Sequence, residues 1–483
     1  MMRTPVLESQ RRATLARALN LALDKRRQSV AEFANWEEMR QRAHDIRAGV
    51  LERLDEYLNQ FERAAAANGI RVVRVATAEE ACRYVAAVAK RLGVTKAVKA
   101  KSMVTEEIHL NRALEAEGIR AMETDLGEYI AQLCGQPPFH LTAPIVHLSR
   151  DEVGHILADK LGVPFTNDPT QLTLIARDVM RREFLTARLG ISGANFCVAE
   201  SGSLVLVTNE GNGRMCTTLP AKEGPRVHIA ITGIEKVVPT LKDVAHLLRL
   251  LARSGSGMRL TAYTTLINGP RKRVAPASLP AGSEMTSDAG KDAGATTEPT
   301  GPDEVHVLLL DNGRREMLRD PHLREALCCI RCGACSNQCP VYHRIGGHAY
   351  QSVYNGPIGS VWSPVLWDTE QSASLPFDCS LCGACADICP VKIDIHHALL
   401  WQRKLAADRG RVPRWQKLAW LAWRVAMSCP TLYNFGSAVA RRLLSPAMLH
   451  RLGKPWTETR DLPPLAKKTF HELWKDQESE RSS

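Results

Sequence analysis

The sequence predicts an α/β domain followed by a helical, cysteine-rich domain. From residue 71 onward, short β-branched or apolar runs alternate with helix-favouring stretches. Such alternation is typical of a mainly parallel sheet covered by helices on both faces. Beyond residue 316 the alternation ends, and nine of the 14 cysteines lie between Cys328 and Cys389. A chain of 483 residues is long enough for roughly two or three domains.

Residues 1–69 precede the alternating region and are predicted to form a helical N-terminal arm. Between residues 8 and 66, charged residues separate apolar residues that recur at helical spacing, such as Leu15, Leu19 and Leu58. Amphipathic helices of this kind usually pack their apolar stripe against a neighbouring core. We therefore expect the arm to be a packing element.

The α/β domain is predicted to span residues 70–315. Its strands are predicted at the runs VVRVA (72–76), KAVKA (96–100), PIVHL (144–148), SLVLVT (203–208) and VHIAITG (227–233). Helices are predicted between them, at residues 78–92, 105–117, 151–161 and 241–254.

A segment of different composition interrupts this domain near its end. Residues 272–303 are rich in Pro, Gly, Ser, Ala and Thr and contain almost no large apolar side chain, so they cannot bury enough surface to order themselves. The next run, VHVLLLDNGR (305–314), again predicts a strand. We therefore predict a flexible insertion inside the α/β domain, not a linker between two domains.

The cysteines of the predicted helical domain, residues 316–400, form two matching runs. Each run has the pattern C-x2-C-x2-C-x3-C-P, in which closely spaced thiolates can reach several irons of one cubane. In two-cluster ferredoxins, the fourth cysteine of each run ligates the other cluster. The spacing therefore predicts two 4Fe-4S clusters, the first on Cys329, Cys332, Cys335 and Cys389 and the second on Cys339, Cys379, Cys382 and Cys385.

Other features of the runs support iron and not zinc. Gly333 and Gly383 stand at matching positions, where the backbone can approach a cluster and donate N–H···S bonds. A pair of zinc sites is the alternative, because zinc also binds C-x2-C pairs. Each zinc ion takes four ligands, and such a site does not require the third cysteine that each run contains. The long connector between Cys339 and Cys379 favours the helical type of two-cluster domain. No role is assigned to the remaining cysteines: Cys82, Cys134, Cys197, Cys216, Cys328 and Cys429.

Polar residues gather at two places where strands of the α/β domain are predicted to end. In KAKSMVTEEIHLN, Lys101 follows a strand and Glu106 opens a helix. In GANFCVAESGSLVLVTNEGNGR, polar residues lie among glycines: Glu200, Asn209, Glu210 and Arg214. Ligands of parallel sheets bind beyond the carboxyl ends of strands, where cations and carboxylates can hold a small hydroxy acid and accept its proton. Helix-terminus and turn roles are the alternative, and both interpretations stay open.

Several functions have no signal in this sequence. There is no G-x-G-x-x-G after a strand and no G-x-x-x-x-G-K-[ST], so neither dinucleotide nor nucleoside triphosphate binding is indicated. No aromatic-basic motif points to nucleic acid. Without a secretory signal or a run of about 18 apolar residues, we expect a cytoplasmic protein, whose cysteines are thiols or metal ligands.

The C-terminal region, residues 401–483, is basic and rich in tryptophan. It contains 16 Lys and Arg against 7 Asp and Glu, and six of the nine tryptophans. The stretch RWQKLAWLAWRVAM (414–427) suits a partner groove or a half-buried core helix. Peripheral contact with the inner face of a membrane is a third interpretation, and the sequence leaves all three open.

Taken together, several motifs resemble the lactate utilization protein B family, iron-sulfur proteins of bacterial L-lactate oxidation. They are KSMVTEEIHLN, ETDLGEYI, NFCVAESGSL, CIRCGACSNQCPVYHRIGGHAY, GPIGSVWSP, SLCGACADICPVKIDIHHALL and DLPPLAKKTFHELW. The resemblance implies a sheet like that of sugar-isomerase and CoA-transferase proteins, a helical ferredoxin-type module, and two partner lactate-utilization subunits. Family members often lack a cysteine at the position of Cys379, which is present here.

The leading functional hypothesis is an iron-sulfur electron-transfer subunit of a complex that oxidises L-lactate to pyruvate. One alternative is that the chain itself binds and oxidises lactate in its α/β domain, although no flavin or nicotinamide motif supports hydride acceptance. A further alternative, a redox-sensing regulatory module, is less favoured because eight thiolates give intact ligation for both clusters. Whether the chain is an enzyme by itself stays open.

Overall fold

The fold was analysed in a computed structural model of the chain. The structure describes residues 7–220, 223–271, 301–443 and 468–482, together with residues 448, 451 and 466. The described residues divide into two compact units between Leu405 and Ala406.

The first unit contains two sheets. The strands are β1 (Arg71–Val75), β2 (Lys96–Lys99), β3 (Arg120–Glu123), β4 (Leu189–Ser192), β5 (Phe196–Val198), β6 (Ser203–Thr208), β7 (Val227–Gly233), β8 (Val237–Val238), β9 (Tyr263–Ile267) and β10 (Glu304–Leu310). Six parallel strands form the larger sheet in the order β1-β10-β7-β4-β2-β3. The smaller sheet has the order β8-β5-β6-β9, in which β6 is antiparallel to both neighbours.

Helices cover the larger sheet and build the cysteine-rich part. They are α1 (Ser9–Ala31), α2 (Trp36–Glu52), α3 (Leu54–Ala67), α4 (Ala78–Leu92), α5 (Met103–Glu107), α6 (Leu110–Ala116), α7 (Leu126–Leu133), α8 (Arg150–Leu161), α9 (Pro169–Thr186), α10 (Asn212–Thr217), α11 (Leu241–Ser256), α12 (Arg314–Arg319), α13 (Ala334–Gln338), α14 (Pro340–Ile345), α15 (Gly356–Trp367), α16 (Glu370–Ser374), α17 (Ala384–Ile388), α18 (Ile395–Asp408), α19 (Arg414–Ser428), α20 (Pro430–Leu443) and α21 (Phe470–Ser482). The predicted fold class, a mainly parallel α/β sheet with a helical cysteine-rich part, is confirmed.

The central strands of the larger sheet are continuous apolar runs because they are buried on both faces. All seven residues of β7 are buried. In β10, Leu308 lies opposite Val73 of β1 on one side and Ile231 of β7 on the other. The strand predicted after the insertion is therefore a central strand of the sheet. Residues 272–300 of the predicted flexible insertion lie outside the described residues.

Two predicted strands differ from the structure. PIVHL (144–148) is mainly a turn, in which Val146 N–H donates to the carbonyl of Ala143. SLVLVT (203–208) is a strand, β6, but it belongs to the smaller antiparallel sheet. The reason is the short connection from β5, where Gly202 has a positive φ of 66° and turns the chain back on itself. A parallel pairing would have needed a much longer crossover.

The N-terminal arm packs against both the α/β part and the cysteine-rich part. Arg47 of α2 is fully buried and donates to the backbone carbonyls of Val237 (3.1 Å) and Leu327 (3.0 Å). One hydrophobic cluster joins Leu23 of α1 and Leu247 of α11 to residues of the cysteine-rich part. The core thus crosses the predicted boundaries, and the division of the chain into domains stays a prediction.

The described part of the second unit is mainly helical and has much exposed apolar surface. No residue of α19 is buried, and Trp415, Trp420 and Trp423 are exposed. In α20, Phe435 is likewise exposed. None of the helices in the described part of the chain is both long enough and apolar enough to cross a membrane.

Candidate functional site

Two loops in the cysteine-rich part share one backbone conformation. Arg331 and Leu381 adopt positive φ values of 62° and 57°. The backbone N–H of Arg331 donates to Sγ of Cys329 (3.4 Å), and the N–H of Leu381 donates to Sγ of Cys379 (3.3 Å). Two residues later, each loop has a glycine with positive φ, Gly333 or Gly383. Backbone N–H groups thus point at sulfur in both loops, as expected of iron-sulfur ligand loops.

The cysteines of the two runs come together as two mixed sets. The first thiol set lines a small cavity and consists of Cys329, Cys332, Cys335 and Cys389. The second thiol set, whose members interact electrostatically, consists of Cys339, Cys379, Cys382 and Cys385. Contacts between α13 and α17 bring the runs together. This grouping has the crossed form expected from the spacing, while the assignment of these residues as cluster ligands stays a prediction.

The donor chemistry of both thiol sets fits a 4Fe-4S cluster. All eight cysteines are free of disulfide bonds. Burial and repulsion from neighbouring thiols raise the pKa of Cys332 to about 12 and the pKa of Cys385 to about 12. Buried thiols of this kind become thiolates when a metal neutralises their charge. Four sulfur donors at each site would hold a cluster, which when bound accepts and donates single electrons.

The two thiol sets differ in their access to solvent. In the first set, Cys332, Cys335 and Cys389 are buried. In the second set, Cys382 is exposed and Cys379 is partly exposed. Cys329 of the first set is partly exposed, and Cys339 and Cys385 of the second set are buried. The second set is therefore the more accessible of the two, because Cys382 is exposed at the surface of the first unit.

A large cavity adjoins the first thiol set. It has a volume of about 530 Å³, and Arg331 and Cys332 line it. Residues that follow β2 and β4, including Lys101 and Asn195, also line it. The cavity thus lies beyond the carboxyl ends of the larger sheet, where parallel-sheet proteins bind ligands. Its volume is in the range of small-molecule sites.

The structure brings three of the six predicted ligand-site residues to this cavity. Lys101, Asn209 and Glu210 line it. Partial burial of its carboxyl group, together with nearby Asp125, raises the pKa of Glu210 to about 7. The positive charge of Lys101 opposes this rise. The cavity therefore contains a cation beside a carboxyl group that titrates near neutral pH.

The other three predicted residues do not line this cavity. Glu106 forms an ion pair with buried Lys99 (2.7 Å). Glu200 accepts a hydrogen bond from Leu241 N–H (2.6 Å) at the start of α11, a structural role that the sequence did not indicate for this residue. Arg214 is exposed on α10 and does not line the cavity.

Sequence reasoning missed several residues that line the cavity. His140, Lys236, Arg331 and Asn337 come from four different segments. His140 Nε2 is bonded to Asn337 Oδ1 (2.9 Å), and burial with nearby Lys101 lowers the pKa of His140 to about 4. Only Arg331 carried a usable signal, because it lies inside the first cysteine run between two predicted ligands.

A buried ionic network connects the larger sheet to the loop that carries Arg331. Arg314, which follows β10, donates to Glu107 and to Glu235 Oε2 (2.7 Å). Tyr354 OH donates to Glu107 Oε2 (2.6 Å). Burial opposes ionisation of Glu235, but Arg314 and neighbouring cations lower its pKa to about 2. Arg331 Nη2 lies 3.8 Å from Glu235 Oε1.

The fold and the thiol sets define an iron-sulfur protein with a parallel α/β sheet and a helical cysteine-rich module. Comparison with known families agrees. The LUD domain family matches residues 58–310, the 4Fe-4S dicluster domain family matches residues 325–393, and the family Lactate utilisation protein B, C-terminal matches residues 402–479. The chain belongs to the lactate utilization protein B family.

Individual relatives are similar over almost the whole chain. Lactate utilization protein B of Bacillus licheniformis is 40% identical over 466 residues, covering 95% of this chain and 92% of the relative. The protein of that name from Bacillus subtilis is 39% identical, with the same coverage of both chains. An Escherichia coli relative named uncharacterized electron transport protein YkgF is 40% identical, covering 94% of this chain and 91% of its own. No solved structure matches the chain significantly.

Proposed function

We propose that this chain is the iron-sulfur electron-transfer subunit of a complex that oxidises L-lactate to pyruvate. The family and the names of its relatives support a role in lactate utilization and electron transfer. The observation that carries the proposal is the crossed grouping of eight cysteines into the first and second thiol sets. Two 4Fe-4S clusters are the cofactors that such a donor set accepts.

Two one-electron sites suit this reaction because oxidation of L-lactate to pyruvate releases two electrons and two protons. The electrons would leave the substrate complex in two single steps. The position of the first thiol set beside the large cavity, and of the second set at the surface, supports a route from the interior toward an external acceptor. In this route Cys332 is nearest to the cavity, since it lines it directly.

The protein surroundings of the thiol sets support stable cluster binding. Arg40 of α2 donates to the carbonyls of Cys389 (2.9 Å) and Asp387 (2.8 Å). Arg403 donates to the carbonyl of Pro376 (2.9 Å) and to that of Cys379. These arginine bonds hold the backbone of the cysteine loops. Within the loops, backbone N–H groups donate to the sulfurs of Cys329 and Cys379. A fixed ligand geometry is what an electron-transfer site needs.

The two partner lactate-utilization subunits are part of the proposal. We place their contact on the second unit, because α19 exposes three tryptophans next to basic residues such as Arg414 and Lys417. Exposed aromatic residues flanked by cations are typical of interaction surfaces. Peripheral contact of residues 414–427 with a membrane is the competing proposal for this surface.

The large cavity favours a second candidate function, in which the chain itself binds the lactate. The supporting observation is the presence of Lys101 and Glu210 in a cavity that also contains Cys332. In this case the partner subunits would supply the hydride acceptor, since this chain has no motif for a flavin or a nicotinamide.

Growth on L-lactate tests the proposed function. A strain from which this chain is deleted is complemented with the native chain, with Cys335→Ser, or with the control Cys134→Ser outside both thiol sets. We expect the native and control chains to restore growth on L-lactate, and Cys335→Ser to restore none. Growth of all strains on glucose serves as the reference. Normal growth on L-lactate without this chain would rule the proposal out.

A further inference from the structure

Arg331 has a buried guanidinium group whose terminal nitrogens have no hydrogen-bond partner in the described chain. Its side chain is 10% exposed, and neither Nη1 nor Nη2 makes a hydrogen bond. The aromatic rings of Tyr354 and Trp362 hold the group at 4.2 Å and 3.9 Å. The nearest carboxylate oxygen, Oε1 of Glu235, is 3.8 Å away, beyond hydrogen-bond distance. Glu235 Oε1 forms an ion pair with Arg331 but is itself buried without a hydrogen-bond partner. Because buried donors without a hydrogen bond are costly, a bound acceptor would stabilise the guanidinium group.

Lysine residues line the large cavity beside Arg331. Lys101 lines it and makes no hydrogen bond or ion pair with any residue that the structure describes. Lys236 also lines it, and its Nζ makes one long bond of 3.4 Å to the carbonyl of Cys329.

Two acidic groups of the cavity are directed toward the start of α7. Asp125 accepts a hydrogen bond from Glu128 N–H (3.0 Å), and Glu210 accepts one from Leu126 N–H (3.3 Å). Glu210 also interacts electrostatically with Lys101. Neither carboxyl group accepts a hydrogen bond from the terminal nitrogens of Arg331.

We propose that the large cavity binds a small 2-hydroxy or 2-oxo carboxylate, with its carboxylate group on Arg331. A guanidinium fork matches a carboxylate in shape and charge, and the planar group is already fixed between Tyr354 and Trp362. Lys101 adds positive charge along the same cavity. The inference rests on the proposed function, because it identifies the class of compound that this subunit would hold for the complex.

The position of Arg331 couples this binding to the redox state of the first thiol set. Arg331 lies between Cys329 and Cys332 in sequence, and Cys332 lines the same cavity. A carboxylate bound there adds negative charge beside the site that becomes more negative on reduction. Binding and reduction therefore oppose one another, and the oxidised protein binds the carboxylate more tightly. By linkage, the bound carboxylate lowers the reduction potential of this site.

Binding to the full chain, purified without oxygen and with its iron retained, tests the site. The probes are L-lactate, pyruvate and the neutral analogue L-lactamide, measured by isothermal titration calorimetry. We expect both acids to bind and L-lactamide to bind at least about tenfold more weakly. Arg331→Gln should weaken the binding of the acids by about tenfold or more. The matched control is Arg177→Gln, which removes a charge from an exposed arginine of α9 and should leave binding unchanged.

A redox titration followed by electron paramagnetic resonance tests the coupling. L-Lactate should lower the potential of one of the two centres, and L-lactamide should not. A tenfold preference for the oxidised form corresponds to about 59 mV in a one-electron couple. In Arg331→Gln, L-lactate should no longer shift the reduction potential, while the spectrum of the centre persists. This result would show that the arginine acts through ligand binding and not through a direct effect on the centre.

Three results would overturn the inference: no binding of either acid to iron-loaded chain, equal binding of L-lactamide, or native affinity in Arg331→Gln. If Arg331→Gln fails to fold, Lys101→Met serves instead, with the same weakening expected. Failure here is distinguishable from failure of the proposed function, because Cys335→Ser tests electron transfer through growth and leaves Arg331 in place.

Discussion

Arg314 donates to both carboxylate oxygens of Glu107, through Nη1 and Nη2 at 2.8 Å each. Both side chains are fully enclosed. Arg314 also binds Glu235, so a single guanidinium joins residues that follow β2, β7 and β10. The network thus ties together the segments that follow three strands of the larger sheet at its carboxyl edge.

Removing this guanidinium should destabilise the first unit strongly. Arg314→Met leaves the carboxylates of Glu107 and Glu235 buried without their main cation, which we expect to cost about 3–5 kcal/mol in the free energy of unfolding. Urea denaturation measures the change. The control is the adjacent Arg315→Met. Its ion pair with Asp55 is accessible to solvent, with side chains 33% and 61% exposed, and should contribute less than about 1 kcal/mol. Equal effects of the two substitutions would contradict the network's role.

Serine substitutions should divide the eight cysteines into two crossed groups. The native chain should contain about eight irons, and loss of one ligand should impair only one cluster. Cys389→Ser should alter the same electron paramagnetic resonance signal as Cys335→Ser, because both belong to the first thiol set. Cys339→Ser should alter the other signal, together with Cys385→Ser. If the four cysteines of each run affected one signal, so that Cys389→Ser altered the same electron paramagnetic resonance signal as Cys385→Ser, the crossed arrangement would be refuted.

A methyl group at Gly202 should disturb the packing of the smaller sheet on α3. Gly202 has a φ of 66°, and an added Cβ would overlap the backbone of Ala64 and Ala65. Gly93 has a similar φ of 61° but open space around it. Gly93→Ala should therefore cost about 1 kcal/mol from backbone strain alone. Gly202→Ala should cost about 1–3 kcal/mol more, from overlap, as thermal or urea unfolding would show.

Carboxylate binding in the large cavity should weaken as the pH rises through about 7. Glu210 has a pKa raised to about 7 by partial burial and by Asp125. Below that pH its carboxyl is neutral and the cavity is more positive. Above it, the ionised carboxylate repels an anionic ligand. Calorimetry at pH 6 and pH 8 should show this fall for the native chain.

The variant Glu210→Gln isolates the contribution of that group. Its affinity for L-lactate should fall less between pH 6 and pH 8 than that of the native chain, and the fall that remains comes from Lys236, which lines the same cavity and whose pKa burial and nearby Arg331 lower to about 7. The control Glu223→Gln alters an exposed carboxyl outside the cavity and should keep the native pH dependence. An unchanged pH dependence in Glu210→Gln would show that another group is responsible.

The exposed tryptophans of the second unit should be needed for assembly. Replacing Trp420 and Trp423 with alanine removes two exposed rings that contact each other edge to face. We expect loss of co-purification with the partner subunits, because aromatic anchors dominate interfaces. Sedimentation with anionic vesicles at low and high salt is the accompanying measurement. Retained co-purification combined with lost vesicle binding would favour the membrane alternative.

The sequence alone determined those features that depend on residues close together in the chain. The two cysteine runs predict their own loops, because a C-x2-C-x2-C pattern brings sulfurs together within one turn of chain. The helix at residues 78–92 was predicted with the bounds of α4, since Thr77 caps its start and Gly93 ends it in a left-handed conformation. The parallel sheet followed from alternating apolar runs and helices.

Only the tertiary structure decided which distant residues share a site. Lys101 and Glu210 were predicted as ligand residues, but their meeting with Arg331 and Cys332 depends on packing between the sheet and the cysteine-rich part. Glu106 and Glu200 have the same residue type as Glu210 but have structural partners instead. Glu106 forms an ion pair with Lys99, and Glu200 accepts a hydrogen bond from the first residue of α11. A local sequence pattern indicates secondary-structure propensity and the spacing of residues. The burial of a side chain and its hydrogen-bond or ion-pair partners depend on contacts between segments far apart in the chain. For that reason the cysteine runs could be recognised from sequence, whereas the burial of the Arg331 guanidinium without a hydrogen bond to its terminal nitrogens could not.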